Sequence, residues 1–406
     1  MNNISSLPDL KDKTILLRVD LNVPIDNVGN ITDTTRLIET IPTIKYLQER
    51  NAKIILVSHF GRPKAIYDND GNVIDGASHK SLTTSVKNIN MFKNIVEIYK
   101  ENAILVKKLN KCIGNTVLNE ISNMSQKDVI LLENVRYYKG ETSNDPIFCE
   151  NLANQIDIFV MDAFGTSHRK HASTYGVRNY IQTSAMGLLM EKEIKYLDLI
   201  MKSSNKKITA IIGGSKVSSK FDVLRSMMNR CNKIIIGGGM ANTFLKANGF
   251  DVGKSLVEDN LIPDVKAFQE KAKEIGVRIL LPSDIVVANE ISENAYTHIL
   301  NVGENCDDLM ILDIGPNSIE YFKKHLQRSD IIVWNGPLGV FEIEPFSNGT
   351  KEIAFMLSEL SNEKTVIAGG GDSIAAINEY NLANKYSHIS TGGGAMLEYL
   401  DGNFLI

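Results

Sequence analysis

Eight short runs of β-branched and aliphatic residues constrain this 406-residue chain more than any other feature. They fall at 14–19, 53–58, 128–133, 157–162, 207–212, 233–236, 330–334 and 364–368, with longer segments of helical spacing between them. Several are apolar without alternation, the pattern of strands buried on both faces of a parallel sheet. Val217, Phe221, Leu224 and Met228 recur at i, i+4, i+7 and i+11, one stripe of a helix. Strand and helix alternating in this way predict a doubly wound α/β fold.

Eight strands are more than one sheet comfortably holds, so the chain is expected to divide. The stretch 187–197 reads as a helix near the midpoint, with Met190, Ile194, Leu197 and Met201 on one face and the polar break Ser203-Ser204-Asn205 behind it. An apolar face must be covered, so this helix is placed between domains and not in a floppy linker. The expected architecture is two Rossmann-like, parallel-sheet lobes joined by that helix, with a cleft and hinge between them. No sequence repeat relates the halves.

Composition narrows the function classes. A chain 43% hydrophobic and 23% charged, with 29 Gly and 10 Pro, supports large cores and excludes collagen-like, disulfide-stapled or largely disordered chains. A net charge of −4, from 44 basic and 48 acidic residues, excludes a generally basic nucleic-acid binder. No segment approaches the ~18 consecutive apolar residues of a membrane helix. Met1-Asn2-Asn3-Ile4-Ser5-Ser6 has neither the basic region nor the apolar core of a leader. Cys112, Cys149, Cys231 and Cys306 are scattered without a Cys-x-x-Cys and read as reduced core thiols. These features point to a soluble cytoplasmic enzyme or binding protein.

In the first half, cations and polar groups cluster just after the expected strands. Arg18-Val19-Asp20-Leu21-Asn22-Val23-Pro24 follows the first, and Ser58-His59-Phe60-Gly61-Arg62-Pro63 follows the second. Glu133-Asn134-Val135-Arg136 and Gly165-Thr166-Ser167-His168-Arg169-Lys170-His171 follow two more. Open parallel sheets bind ligands at the carboxyl ends of their strands, and guanidinium groups grip carboxylate or phosphate bidentately. Arg36, Arg62, Arg136 and Arg169 therefore suggest an anion site for a small phosphorylated or carboxylated substrate. Any one of them alone would read as a surface arginine.

In the second half the signal is glycine. Ile211-Ile212-Gly213-Gly214-Ser215-Lys216-Val217-Ser218-Ser219-Lys220 reads as strand, turn and helix, with Lys216 and Lys220 projecting from one helical face. Ile236-Gly237-Gly238-Gly239-Met240 and Ala368-Gly369-Gly370-Gly371-Asp372-Ser373 repeat the arrangement. Glycine lets backbone N–H groups approach phosphate oxygens at a helix start. Asp372 suits Mg²⁺, which takes only one or two protein carboxylates beside phosphate oxygens. Neither G-x-x-x-x-G-K-[ST] nor G-x-G-x-x-G is present.

Together these segments resemble the phosphoglycerate kinase family. The motifs run in family order from Arg18-Val19-Asp20-Leu21-Asn22-Val23-Pro24, through Asp162-Ala163-Phe164-Gly165-Thr166 and Trp334-Asn335-Gly336-Pro337-Leu338-Gly339-Val340-Phe341-Glu342, to Ser390-Thr391-Gly392-Gly393-Gly394-Ala395. The resemblance implies a monomeric, cytoplasmic glycolytic enzyme that moves phosphate reversibly between 1,3-bisphosphoglycerate and ADP, giving 3-phosphoglycerate and ATP, with Mg²⁺. No nucleic acid or membrane partner is implied. The triose is expected on a first lobe, 1–186 plus 390–406, near Asp20, Asn22, Arg36, His59, Arg62, Arg136 and Arg169. The nucleotide is expected on a second lobe, 187–389, near Gly214, Lys216, Lys220, Gly238, Gly239, Asn335, Gly336, Glu342, Gly370, Gly371, Asp372 and Ser373, with Asp372 toward the metal. Arg36, Lys216 and Gly371 are the expected catalytic residues, and the tail is expected to cross back to the first lobe, with Gly392–Gly394 near the hinge.

Departures from the family pattern are modest. Ser215 replaces the commoner alanine, Ser219 stands where Asp is frequent, and Ser373 replaces threonine. Ile311 takes a position often held by glycine beside the nucleotide, and the chain ends at Leu405-Ile406 without the common Pro-Gly. A carboxylate acceptor, with a pKa of ~4, is already an ionised nucleophile at neutral pH. In-line transfer after lobe closure therefore needs charge neutralisation and water exclusion, not a general base.

Overall fold

The computed structural model describes residues 1–74, 86–203 and 206–402. They divide into two compact units, Met1–Lys195 with the chain from Gly402, and Tyr196–Asp401. The strands of the first unit are β1 (Asn2–Asn3), β2 (Thr14–Val19), β3 (Lys53–Val57), β4 (Val106–Lys108), β5 (Val129–Leu131), β6 (Ile158–Asp162) and β7 (Thr183–Met186). Its helices are α1 (Thr35–Glu49), α2 (Val86–Glu101), α3 (Asn115–Ser122), α4 (Lys139–Ser143) and α5 (Pro146–Ala153), and α6 (Leu188–Met201) starts in this unit and ends in the next. The seven strands form one sheet in the order β1-β7-β6-β2-β3-β5-β4, and every pairing is parallel.

β2 and β6 lie side by side although the chain leaves β2 toward β3 and returns to β6 only after β5. That reversal opens a crevice beyond the carboxyl ends of these two strands, where an open α/β sheet binds its ligand. The continuous apolar runs explain the packing: Ile15, Leu17, Ile54, Leu56, Leu131 and Val160 belong to one buried core. Each such side chain removed from water contributes about 1.5–3 kcal/mol.

The second unit contains β8 (Ile208–Ile212), β9 (Lys233–Ile236), β10 (Arg278–Leu280), β11 (Asp284–Ala288), β12 (His298–Asn301), β13 (Met310–Ile314), β14 (Ile331–Asn335), β15 (Thr365–Gly369) and β16 (His388–Ile389). Its helices are α7 (Phe221–Met228), α8 (Gly239–Ala247), α9 (Ile262–Glu274), α10 (Pro316–Leu326), α11 (Asn348–Leu360), α12 (Gly371–Glu379) and α13 (Gly394–Leu400). Six strands form a second parallel sheet, β10-β9-β8-β14-β15-β16, whose reversal lies between β8 and β14. β12-β11-β13 form a small antiparallel sheet that the sequence analysis did not anticipate. Among the described residues, no helix is long and apolar enough to cross a membrane.

The two doubly wound sheets match the expected fold class, while several details differ. The unit division falls inside α6, at 195/196, and residues 390–401 group with the second unit. There α13 is tied to its own unit: Arg230 Nη2 donates to the Leu400 carbonyl at 3.0 Å, and Tyr399 OH donates to Asp198 at 2.6 Å. The buried face of α6 is Leu189, Met190, Glu193, Leu197 and Ile200, with Ile194 and Met201 only half-buried. α7 begins after Val217 and buries Val223, Leu224 and Met227, so Val217, Phe221 and Met228 do not form its core stripe. Of the polar break, Ser204 and Asn205 lie outside the described residues, as do Leu405 and Ile406.

Asp162 ends β6 fully buried, and its Oδ1 accepts the Met190 N–H at 3.1 Å in the first turn of α6. Gly187 passes so close that a Cβ there would lie 2.3 Å from that oxygen. Burial pushes the carboxyl up to about 7, against hydrogen bonds from Thr43 and the Met190 and Leu189 amides. The folded chain then holds a proton that the unfolded chain has released, so this group's contribution to stability declines as pH rises. We expect the wild type to lose stability relative to Asp162→Asn between about pH 4 and 7, by at most a few kcal/mol. Denaturant unfolding at both ends of that range checks this, and a constant difference would contradict it.

Candidate active site

The loops after β2, β3, β5 and β6 deliver the first unit's candidate residues to one end of the sheet. Asp20 and Asn22 follow β2, and Arg36 is the second residue of α1. Arg36 Nη1 donates to the Asn22 carbonyl at 2.7 Å and pairs with Asp20 Oδ2 at 3.3 Å. The Asp20 carboxylate also accepts the Asn22 N–H at 3.1 Å, and Asn22 Oδ1 accepts the Gly61 N–H at 2.9 Å. These bonds join the β2 loop, the β3 loop and the start of α1, with Arg36 one-third exposed.

Arg136 sits in the turn Val135–Tyr137 after β5, held where Asn134 Oδ1 accepts its backbone N–H at 3.1 Å. Burial lowers its pKa, and the guanidinium groups of Arg169 and Arg62 lower it further. Its Nε is buried with no hydrogen-bond partner. A guanidinium N–H shut off from water beside two like charges is costly unless an acceptor arrives.

Two histidines share this cluster. Burial, and then the positive charges of Arg18, Arg136 and Arg169, depress His59 to about 2. Burial, Arg136, Arg169 and Arg18 take His171 to about 4. Both rings are neutral at physiological pH, so guanidinium groups supply the positive charge. Beneath them lie Arg18, Glu141 and Ser173, all essentially inaccessible to solvent. Neither Glu141 nor Ser173 stands out in the sequence, and the motif around Arg18 assigns that residue no role. The available signal was a charged residue inside the apolar run 14–19.

In the second unit the turns after β8 and β14 meet where the strand order reverses. A Cβ at Gly213 would stand 1.9 Å from the Pro337 carbonyl, so only glycine permits this contact. The Gly214 N–H donates to Pro337 O at 3.1 Å, and Gly214 O accepts the Met240 N–H at 2.9 Å. Gly238 precedes α8 and donates to Leu338 O at 2.9 Å. A Cβ at Gly239 would press on the Ser215 carbonyl, 2.8 Å away.

Gly370, at φ 90°, precedes α12 and packs against Asn335 Oδ1. The Ser373 hydroxyl accepts the Gly336 N–H at 2.6 Å, so serine in the usual threonine place ties the β14 turn to α12. Lys220 Nζ donates to Asn335 Oδ1 at 2.5 Å; burial lowers its pKa while the Asp372 carboxylate raises it. The structure therefore brings together Gly214, Gly238, Gly239, Lys220, Asn335, Gly336, Gly370 and Ser373, with exposed Gly371 and Asp372 in the first turn of α12.

Lys216 and Lys220 do not share a helical face, because α7 begins at Phe221. Ser218 and Ser219 make turn-stabilising bonds instead: Ser218 N–H donates to Glu258 at 2.9 Å and Ser219 Oγ to the Lys216 carbonyl at 2.8 Å. Lys216 and Glu342 are exposed, and neither side chain takes part in the hydrogen bonds just described. Ile311 lines a narrow cleft with Gly238, Ala241, Leu245 and Leu338, so its side chain narrows the space beside the glycine turns.

One sheet thus presents a buried guanidinium N–H without a partner, and the other presents two helix starts, a lysine and a carboxylate around glycine turns. Charged loops on one parallel sheet and glycine turns on a second define a two-unit α/β architecture suited to a phosphotransferase. The family model for phosphoglycerate kinase matches residues 4–403. Phosphoglycerate kinases from Prochlorococcus marinus (strain MIT 9515) and Dictyoglomus turgidum are each 47% identical, over 98% of this chain and 94% and 95% of theirs. The solved phosphoglycerate kinase of Coxiella burnetii superposes with a TM-score of 0.83 at 36% identity, covering 98% of this chain and 96% of that one. The chain belongs to the phosphoglycerate kinase family. It is a glycolytic kinase that transfers a phosphoryl group between 1,3-bisphosphoglycerate and ADP, yielding 3-phosphoglycerate and ATP.

The glycine contacts sort into those that shape the fold and those that leave room for ligand. Gly213→Ala should lower the melting temperature by several degrees, since backbone must move to admit the methyl. Gly371→Ala meets nothing within 4 Å and should melt within a degree or two of wild type. Thermal unfolding of both variants reads the contrast, and equal melting temperatures would show that the β8–β14 approach is not tight.

Proposed function

We propose that the first unit binds 3-phosphoglycerate through its guanidinium cluster and that the second binds the magnesium nucleotide on its glycine turns. The observation carrying this reading is the buried, unpartnered Arg136 Nε among Arg62 and Arg169, which calls for a phosphate-like acceptor. In this reading Arg62, Arg136 and Arg169 hold the 3-phosphate, while Asp20, Asn22 and His59 orient the carboxylate end. Lys220, Asn335 and the Gly239 amide at the start of α8 take the nucleotide phosphates, while Gly214, Gly238 and Gly336, whose N–H groups are bonded within the fold, shape the turns around them. Glu342 is assigned to the same nucleotide site. Gly370, Gly371 and Ser373 bring α12's N-terminal amides to the transferring group, where oriented N–H dipoles stabilise developing charge.

Asp372 suits Mg²⁺. The exposed carboxylate stands beside Lys220 and the glycine turns, and among the described residues no cluster of three or more His, Cys, Asp or Glu forms an all-protein cage. Magnesium bound with nucleotide needs only such a carboxylate together with phosphate oxygens and water. When bound, it offsets charge on the phosphates. Ser219, in place of an aspartate, supplies no second carboxylate.

Arg36 and Lys216 are assigned to the transferring group itself. The acceptor carboxylate arrives ionised, so their task is to neutralise repulsion between two anions and not to move a proton. Donor and acceptor bind different units in this reading, so transfer requires the units to close and exclude water. The protein is further assigned as a cytoplasmic monomer.

Arg36→Ala should lower kcat at least a hundredfold with little change in the nucleotide KM, while Arg62→Ala should chiefly raise the KM for 3-phosphoglycerate. Steady-state kinetics separates the two, and an Arg62 variant that lost only ATP affinity would refute the unit assignment. Mg-ATP and 3-phosphoglycerate with hydroxylamine should give acyl hydroxamate and ADP together, dependent on both substrates. ADP without hydroxamate would mean that the carboxylate is not the acceptor.

A further inference from the structure

We propose that Glu141, Ser173 and Arg18 form a buried relay that fixes His59 as its Nε2–H tautomer, so that this histidine meets its ligand as a neutral hydrogen-bond donor. The proposal deepens the assignment of His59 to the substrate site and rests on it for the ligand, although the relay itself is a property of the unliganded chain.

The chain of bonds has one consistent direction. The Ser173 backbone N–H donates to Glu141 Oε2 at 3.0 Å, and its hydroxyl donates to Oε1 at 2.8 Å. With its proton committed to the carboxylate, the hydroxyl uses a lone pair to accept Arg18 Nε–H at 3.0 Å. Arg18 Nη1 donates to the Val19 carbonyl, and Nη2 lies 3.2 Å from His59 Nδ1. A guanidinium has five N–H donors and no acceptor. His59 Nδ1 must therefore present its lone pair, which leaves the ring proton on Nε2.

The surroundings keep the ring from changing state. Glu141 and Ser173 are fully buried and Arg18 is 1% exposed, so none is free to exchange this partner for water. The backbone flanking His59 is fixed, with the Phe60 N–H donating to Asn134 Oδ1 at 3.1 Å and Asn134 Nδ2 donating back to the Phe60 carbonyl at 2.8 Å. The charged and titratable groups acting on the imidazole are Arg18, Arg136, Arg169 and His171, each of which disfavours a second proton on the ring. Glu141 is the buried carboxylate of the set; it bonds Ser173, lies 3.9 Å from His171, and offsets the Arg18 charge. These three are positioning residues, since they act on the ligand through His59.

Histidine-selective ¹⁵N labelling of the full chain tests the relay, with His59 assigned by the resonances lost in His59→Asn. The unliganded wild type should show a protonated Nε2 and a bare Nδ1 from pH 8 down to pH 5, without titration. A proton on Nδ1, or titration near the ordinary value of about 6.5, would overturn the proposal without recourse to any variant. Ser173→Ala should release Arg18, give mixed tautomers at His59, and raise the KM for 3-phosphoglycerate about tenfold while the ATP KM stays unchanged. A folded Ser173→Ala chain with the wild-type His59 spectrum would also overturn it. Ser173→Thr, which keeps the hydroxyl, should restore the single tautomer. Addition of 3-phosphoglycerate should shift the Nε2 resonance; an unmoved resonance would refute His59 as a ligand group and leave the tautomer result standing.

Discussion

Crowding of like charge at the carboxyl end of the first sheet is the constraint on which the site depends. Arg136 feels Arg62 and Arg169, and Arg18 feels Arg136 and Arg169 from below. Such a cluster is unfavourable in a protein interior unless something offsets it. Two features do so. Glu141 places one buried carboxylate beneath the cluster, and buried His59 and half-buried His171 stay neutral instead of adding charge. What remains is a charge made by guanidinium groups alone, and guanidinium does not titrate at any physiological pH. The strength of the proposed anion site is therefore set by geometry and not by small changes in acidity.

The second sheet meets a similar demand by another route. Where β8 and β14 reverse the strand order, backbone comes within reach of backbone only because side chains are missing at Gly213 and Gly336. That close approach sets the starts of α8 and α12 beside the turns, and N–H groups at a helix start carry partial charge without the desolvation cost of ions. Lys220 then needs only the Asn335 amide and the Asp372 charge to sit half-buried near them. The difference suits the ligands proposed for each sheet: a compact triose phosphate is gripped by charged side chains, and a long polyphosphate is followed by backbone.

Much of this was legible in the sequence because buried parallel strands leave an unmistakable trace. The continuous runs around Leu16, Ile55, Ile211 and Ile332 lie in the two sheets, and the residues just after them form the candidate sites. Strands at and next to the sheet edges were not legible: edge β4 reads Val-Lys-Lys, and β7, covered on its outer side only by the two residues of β1, reads Thr-Ser-Ala-Met, since strands there need not be apolar on both faces. The start of α7 was misplaced because apolar spacing continued back to Val217, while Ser218 and Ser219 diverted the backbone into a turn. The relay was hidden for a different reason. Nothing in the spacing of Arg18, Glu141 and Ser173 shows that they meet, because they come from β2, α4 and the segment after β6.

A neutral His59 also fits the chemistry better than a charged one. The acceptor is a carboxylate whose nucleophilicity depends on free electron density at oxygen. An imidazolium bonded to it would withdraw that density and favour the ground state over the transition state, where the carboxylate has given up charge to the incoming phosphoryl group. In the proposed site a neutral Nε2–H orients the same oxygen with a weaker bond. Positive charge is more useful at the transferring group, where electron density accumulates on the equatorial oxygens, and Arg36 and Lys216 are assigned there. Keeping the histidine neutral while concentrating fixed cations elsewhere separates orientation from electrostatic stabilisation. That separation is available only to an enzyme whose nucleophile arrives already deprotonated.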